Sequence, residues 1–400
     1  MRIVQVTEWF PDYAARATLE LSKRLSSLGH EVWIVSSDFD QTGLNRYRQG
    51  DTFVEGLRVR RLPSKPTRIL GTQYVFYSPK SIENAHDFIR RLNPDILCIQ
   101  SYWGMLGLAC LLSPSLRRIP KTVTIHGIIS GYKGIGLRFV AALLNCFSQC
   151  ITSIAAQRIL SVSRLDIPRI ESWGVDRDKI EYVPNGVDST KFAPVSPIVK
   201  ERLRTELGYP KDRIVVLFLA YLRAAKGVDV FLDAIEKARR IDPDLFFVIA
   251  GDGPLKDYVR TEIESSNLGV SVRMLGFVEE ELLPSVYAST DIYVLPSFLE
   301  GMPVSLLQAM SCGLPVIATP VGDVPEIVKD DVNGIIVNVG SSLELSEAIV
   351  RLGRDAHLRD RMGAASRKTV VGYDLDSIAK TCEGIYQTVR QESAKSRRGG

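Results

Sequence analysis

Cysteine is scarce and unpaired in this sequence, charge of neither sign dominates, and no stretch has the make-up of a targeting peptide. The six cysteines, at 98, 110, 146, 150, 312 and 382, form no CxxC pair and sit mostly within apolar runs. That excludes a disulfide framework and predicts small buried thiols in a reducing compartment. Lys and Arg number 50 against 46 Asp and Glu, a net charge of +4 without the clustered basic excess that nucleic-acid binding demands. The N-terminus, MRIVQVTEWFP, lacks the apolar core and cleavage site of a signal peptide, so a cytoplasmic location is expected. No His/Asp/Glu cluster suggests a metal; Asp38-Phe39-Asp40 has the spacing of a two-carboxylate motif but reads as a polar turn closing a strand. Phe139 to Gln157 holds no charged residue, yet it carries Asn145, Ser148, Gln149, Thr152 and Ser153. That polarity predicts a buried or membrane-facing helix rather than a membrane span.

What is present suits two domains, since 400 residues at 45% hydrophobic content exceed the roughly 250 to 300 residues at which a single core stops growing. Strands are expected at Arg2–Val6, Glu31–Ser36, Asp95–Gln100 and Thr122–Ile125, with a helix from Arg16 to Leu28 stopped at Gly29. A Ser/Thr/Pro-rich linker, 189–197, follows. The alternation then restarts: strand Ile214–Leu219, helix Val228–Arg240, strand Leu245–Ala250 and a Gly251-Asp252-Gly253-Pro254 turn that lacks a full GxGxxG fingerprint. The expected domains are 1–190 and 198–372, then a helix within 373–392 and a basic, disordered tail, 393–400.

The most informative stretch is Asp291 to Thr319. Ile292–Leu295 reads as a strand buried on both faces, a loop carries Ser297, Glu300 and Gly301, and Pro303 stands at the first position of a helix over Val304–Cys312. Gly313 stops that helix and Val316–Ala318 starts a further strand. A helix start after a strand favours an anion, because its first N–H groups are unpaired and its dipole is positive there. Glu300 does not suit a phosphate and is better placed to accept hydrogen bonds from neighbouring hydroxyls. Phosphate beside hydroxyls describes a nucleotide sugar.

At these residues the chain resembles the retaining glycosyltransferases of the GT-B class, in their large family four. The resemblance rests on Ser297-x-x-Glu300-Gly301-x-Pro303, Gln308-Ala309-Met310, Gly313-x-Pro315-Val316 and Val183-Pro184-Asn185-Gly186-Val187-Asp188. It implies an α/β fold of two doubly wound Rossmann-like domains facing across a cleft, the first on the acceptor side and the second on the donor side, with the last helix crossing back to the first. It implies further that Glu300 contacts the donor sugar, that Gly301, Met302, Pro303, Val304 and Gly251 line the donor site, and that Gln308, where the family usually has Glu, faces the ribose. Lys226 and Arg223 would neutralise the donor diphosphate, although Tyr221 stands where an arginine is more common. Thr124-x-His126-Gly127 resembles the element whose histidine faces the donor sugar. Ala14-Ala15 replaces two glycines that let the backbone approach the diphosphate. The implied activity is metal-independent, cofactor-free transfer of a sugar from a nucleoside-diphosphate sugar to an acceptor hydroxyl on a glycan or lipid-linked sugar. A donor-binding subunit without activity and a nucleotide-sugar epimerase remain alternatives.

Leu57 to Leu70 carries five bases and no acid, with alternation at Arg58, Val59 and Arg60 that predicts a strand with one solvated face. The alternative is a docking surface for an anionic acceptor or membrane headgroups, a peripheral membrane contact.

Overall fold

The computed structural model describes residues 1–10, 15–40, 43–69, 72–128, 135–266 and 268–398. The chain divides into two compact units, one of residues 1–184 with 375–400 and one of residues 185–374.

The strands of the first unit are β1 (Arg2–Val6), β2 (Glu31–Ser37), β3 (Gly50–Val54), β4 (Leu57–Leu62), β5 (Lys65–Ile69), β6 (Thr72–Phe76), β7 (Ile96–Ile99), β8 (Lys121–Ile125), β9 (Arg158–Ser161) and β10 (Ile180–Tyr182). Its helices are α1 (Arg16–Ser27), α2 (Pro79–Leu92), α3 (Met105–Leu112), α4 (Ile135–Ala155), α5 (Ile167–Glu171) and, from the end of the chain, α14 (Leu375–Arg398). The main sheet runs β10-β9-β8-β7-β1-β2-β4-β3, parallel except for the antiparallel β3–β4 edge, while β5 and β6 form a separate hairpin. Strands buried on both faces of a parallel sheet become continuous apolar runs, as in Ile96–Ile99. α14 returns to this unit: Ile378, Cys382, Tyr386 and Val389 join Leu19, Leu25, Ile96 and Cys98 in one apolar cluster. Arg390 pairs with Asp95 at 3.0 Å and Arg158 with Glu392 at 2.7 Å. The helix runs on through Arg398, into the tail expected to be disordered, because Ala394 and its Lys/Arg neighbours are strong helix formers and propagation needs no further core contact.

The second unit holds β11 (Ile214–Leu219), β12 (Leu245–Ala250), β13 (Val272–Gly276), β14 (Ile292–Leu295), β15 (Val316–Ala318) and β16 (Gly334–Ile336) in the parallel order β13-β12-β11-β14-β15-β16. Around them lie α6 (Pro197–Leu207), α7 (Val228–Ile241), α8 (Lys256–Ser265), α9 (Leu283–Ala288), α10 (Val304–Ser311), α11 (Val324–Ile327), α12 (Ser342–Arg354) and α13 (Ala356–Val370). Residues 189–197, expected as a linker, are bound into this unit. Ser189 Oγ donates to Asp374, Arg367 reaches the Ser189 and Phe192 carbonyls, and Phe192 is 3% exposed.

One expectation is corrected. Cys98, Cys110, Cys312 and Cys382 are buried, but Cys146 and Cys150 are exposed, because α4 turns part of its apolar surface outward. β4 is the expected strand with one solvated face, Arg58 being exposed and Val59 buried, and its charges are largely neutralised within its own unit. Arg58 pairs with Glu31 at 3.2 Å and lies over Trp33, Arg60 pairs with Asp51 at 2.9 Å and lies over Phe88, and Arg61 is buried, donating to the Ser37 carbonyl at 3.1 Å. Leu70, at the end of that run, lies outside the described residues.

Candidate functional site

In the second unit the strand order reverses between β11 and β14, whose carboxyl ends lie side by side in the register Phe218 against Val294. Ligands of open α/β sheets bind at such a switch point, because the two loops part there and leave a crevice. The loop after β11 makes a tight turn over Ala224–Lys226 and enters α7 through Gly227. Gly227 has φ +69°, and a Cβ there would sit 2.0 Å from the Pro296 carbonyl oxygen, so only glycine lets the two loops approach. The Phe298 amide donates to the Ala225 carbonyl at 2.9 Å and fixes them together.

This apposition brings Lys226, Ser297 and Glu300 together. Lys226 Nζ and Ser297 Oγ each lie 2.6 Å from the same Glu300 oxygen, Oε1, with the Glu300 side chain 7% exposed and that of Lys226 17% exposed. A shielded charge pair of this kind is held by the rigidity of its loops, since desolvation offsets much of its attraction. Arg223 is not in the cluster: its backbone is extended, its side chain exposed, and its guanidinium has no ion-pair partner among the described residues. The three-residue turn Ala224–Lys226 that follows Arg223 breaks the extended path that would have aligned the two.

Beyond Glu300 the chain passes Gly301 and Met302 into α10. Pro303 is the residue before the helix rather than its first, and the helix ends at Ser311 with Cys312 as cap. Leu307 is the first residue whose N–H finds a helical carbonyl, that of Pro303, so the N–H groups of Val304, Ser305 and Leu306 precede the ladder. Asn185 Nδ2 donates to the Met302 carbonyl at 2.8 Å and steadies this entry. Gln308 is 8% exposed, and its Oε1 accepts from the Tyr287 hydroxyl at 3.1 Å. Gly251 follows β12 and donates to the Gly276 carbonyl at 2.7 Å; its loop joins the β11 loop through the Leu222 amide and Asp252 carbonyl. Glu326 is exposed in the first turn of α11, where its charge suits the helix dipole.

In the first unit the order reverses between β1 and β7, and the residues at that point are mostly neutral. His126 follows β8, and its Nε2 lies 2.9 Å from Gln100 Oε1. Gln100 Nε2 donates to Gln5 Oε1, so Gln100 Oε1 is an acceptor and His126 carries its proton on Nε2, leaving Nδ1 as an acceptor. Burial pushes the imidazole pKa down to about 4, so His126 is neutral at pH 7. Glu8, two residues past β1, is 5% exposed; its carboxyl accepts from the Leu106 amide at 2.9 Å and the Tyr77 hydroxyl at 3.0 Å. Burial raises its pKa to about 7, and the Tyr77 hydroxyl is pushed well above its ordinary value by burial and by Glu8. Ala15 is buried at the start of α1, and Ala14 lies outside the described residues. Asp38 is occupied by Arg46, Gln49 and Ser64, and Asp40 by Leu44 and Asn45, so both carboxylates tie down their own loop.

Ser297 was legible only as part of a motif, and Glu8, Gln5 and Gln100 not at all. The one signal for Glu8 was an acid placed two residues after an apolar strand.

Residues 199–369 match the family described as "Glycosyl transferases group 1" and residues 14–191 match "Glycosyltransferase Family 4". An uncharacterized glycosyltransferase of Methanocaldococcus jannaschii is 31% identical over 274 residues, 68% of this chain and 70% of that protein. The Escherichia coli UDP-Gal:alpha-D-GlcNAc-diphosphoundecaprenol alpha-1,3-galactosyltransferase is 27% identical over 315 residues, 77% of this chain and 79% of its own. Other curated relatives are spanned over only about half their length, 46% and 55%. In fold, the chain is similar to Anabaena HepE in complex with UDP, with a TM-score of 0.77 at 19% identity over 97% of this chain and 99% of that one.

Proposed function

The chain belongs to the group 1 glycosyltransferases, and from that premise we propose that it transfers a sugar from a nucleoside-diphosphate sugar to an acceptor hydroxyl with retention of configuration. The observation that carries this reading is the meeting of Lys226, Ser297 and Glu300 at the β11/β14 switch point, beside the free N–H groups that open α10. A phosphoryl oxygen entering there meets Lys226, the N–H groups of Val304 to Leu306 and, from the exposed side, Arg223. These groups stabilise the negative charge that builds on the leaving diphosphate, so the reaction is assigned no metal and no cofactor. Lys226 then shares its charge between phosphate and Glu300. Glu300, oriented by Ser297, accepts hydrogen bonds from sugar hydroxyls, while Gln308 keeps its amide for the ribose. Gly251, Gly301, Met302 and Pro303 give the backbone that shapes this side of the site.

In the first unit, His126 supplies a neutral acceptor, Nδ1, for a sugar hydroxyl. No general base stands out among the described residues of the site, and the departing phosphate takes the acceptor proton. The proposed acceptor is a glycan or lipid-linked sugar, in polysaccharide, glycolipid or glycoconjugate synthesis, at the cytoplasmic face of a membrane. UDP in the related Anabaena structure and the UDP-Gal donor in the name of the Escherichia coli relative support a nucleotide-sugar donor.

The test is a panel of radiolabelled nucleotide sugars, read for transfer to lipid-linked acceptors and for slow hydrolysis without them. Turnover lost in Glu300→Ala supports the proposal. Tight donor binding without turnover favours a donor-binding subunit, and isomerised donor favours an epimerase.

A further inference from the structure

The outward face of α4 has no partner within the chain among the described residues. Leu143 is 56% exposed, Leu144 61%, Phe147 56% and Ile154 85%. With exposed Cys150, positions 143, 147, 150 and 154 form one helical stripe, about 16 Å long at 1.5 Å per residue. The inward face is the more polar one: Ser148 and Thr152 are buried there with Ile151, and the Thr152 hydroxyl finds no hydrogen-bond partner. A helix packed on a sheet normally does the reverse. Yet no helix among the described residues is long and apolar enough to cross a membrane.

The segment that carries this face is one-sided in sequence, with no Asp or Glu from Ile96 to Leu165. Of its bases, Lys121 is buried, Arg158 is paired with Glu392 and Arg164 lies over Tyr182. α3 packs against α4 and ends in Leu112, 56% exposed. Arg117 and Arg118 follow a few residues later, exposed and without an ion-pair partner among the described residues. We propose that this surface, the apolar stripe of α4 with Leu112 and the arginine pair after α3, docks on an anionic lipid surface, α4 lying in the interface with Leu144 and Phe147 inserted. Apolar groups beside unpaired cations suit the boundary between acyl chains and anionic headgroups. They suit a second copy poorly, since a twofold contact would bring the same unpaired arginines of both copies into one interface. The proposal deepens the membrane contact suggested above and rests on that reading, while relocating it from the neutralised arginines of β4.

The experiment is co-sedimentation of the full chain with vesicles of phosphatidylcholine alone and of phosphatidylcholine mixed with phosphatidylglycerol. Binding to the mixed vesicles is expected, weakening with salt. Leu144→Glu with Phe147→Glu should reduce it by at least about tenfold, the effect of losing one large apolar group. Arg117→Gln with Arg118→Gln should remove much of the salt dependence, and Phe53→Glu, on the exposed edge strand, should leave binding unchanged. Nucleotide-sugar hydrolysis without vesicles and an unchanged melting temperature establish that each variant is folded. Absence of binding to the mixed vesicles overturns both this proposal and the membrane reading. Binding that survives the α4 variants overturns the surface assigned here and leaves the membrane reading standing. A dimer broken by Leu144→Glu with Phe147→Glu, without vesicle binding, replaces the lipid with a second copy. In every outcome the transfer reaction is judged separately, by the hydrolysis assay.

Discussion

Both units present a switch point at the carboxyl ends of parallel strands, and they furnish it in opposite ways. The second unit places a shielded Lys226–Glu300 pair there, backed by Ser297 and the open end of α10. The first places a neutral imidazole held by the Gln100 amide, which Gln5 holds in turn, and has a buried carboxyl, Glu8, that is half protonated at about pH 7. Under the proposed function this is a division of labour: fixed charge to grip a diphosphate, and uncharged hydrogen-bonding groups to orient hydroxyls.

The contrast breaks most readily by removing charge. Glu300→Gln or Lys226→Met should lower turnover about a hundred- to a thousandfold, the range for deleting a preorganised electrostatic group. His126→Phe, which loses one neutral hydrogen bond, should lower it about tenfold. Steady-state hydrolysis of the donor measures both, and comparable losses at the two sites would erase the distinction.

Next in size is a pH effect confined to the first unit. Glu8 has a folded pKa of about 7 against an ordinary 4.5, so between these values the folded state keeps a proton that the unfolded chain has lost, and stability falls as pH rises. His126, at about 4 against 6.5, works the other way: the unfolded chain takes up its proton first, and stability falls as pH drops from 6.5 to 4. Each effect is on the order of 3 kcal/mol at full extent, since every tenfold change in proton affinity is worth about 1.4 kcal/mol. Glu8→Gln should therefore gain stability over wild type as pH climbs from 4.5 to 7, measured by urea unfolding across that range. A constant difference would place the carboxyl in a wetter setting.

Gly227→Ala should cost about 2 kcal/mol or more in the second unit, since it combines positive φ with a backbone clash. Thermal unfolding of the full chain reports it, and the donor site should loosen with it. Smallest of all, Arg58→Gln should change stability by less than about 0.5 kcal/mol, its partner Glu31 being half exposed and already paired with Arg2.

The same contrast explains what the sequence revealed. In the second unit Ser297, Glu300, Pro303 and Gln308 lie within a dozen residues, so local pattern and family resemblance both reach them, and Lys226 joins through a short motif of its own. In the first unit two small networks draw on positions 5, 100 and 126 and on positions 8, 77 and 106, far apart in sequence and brought together only by the fold. No local spacing announces that. The outward face of α4 was half legible: its lack of charge was visible, but which side of the helix faced water depended on packing. The route of 189–197 was hidden for a similar reason, because linker-like composition does not exclude capture by Arg367.

The most direct test of the donor site is binding of a nucleoside diphosphate to the full chain and to two variants, followed by thermal stabilisation. At about 100 times its dissociation constant the ligand should add about 2.7 kcal/mol to wild type. That gain should persist in His126→Phe and disappear in Lys226→Ala. Stabilisation that survives loss of Lys226 but not of His126, or that no nucleoside diphosphate produces, would contradict the claim that the second unit holds the donor.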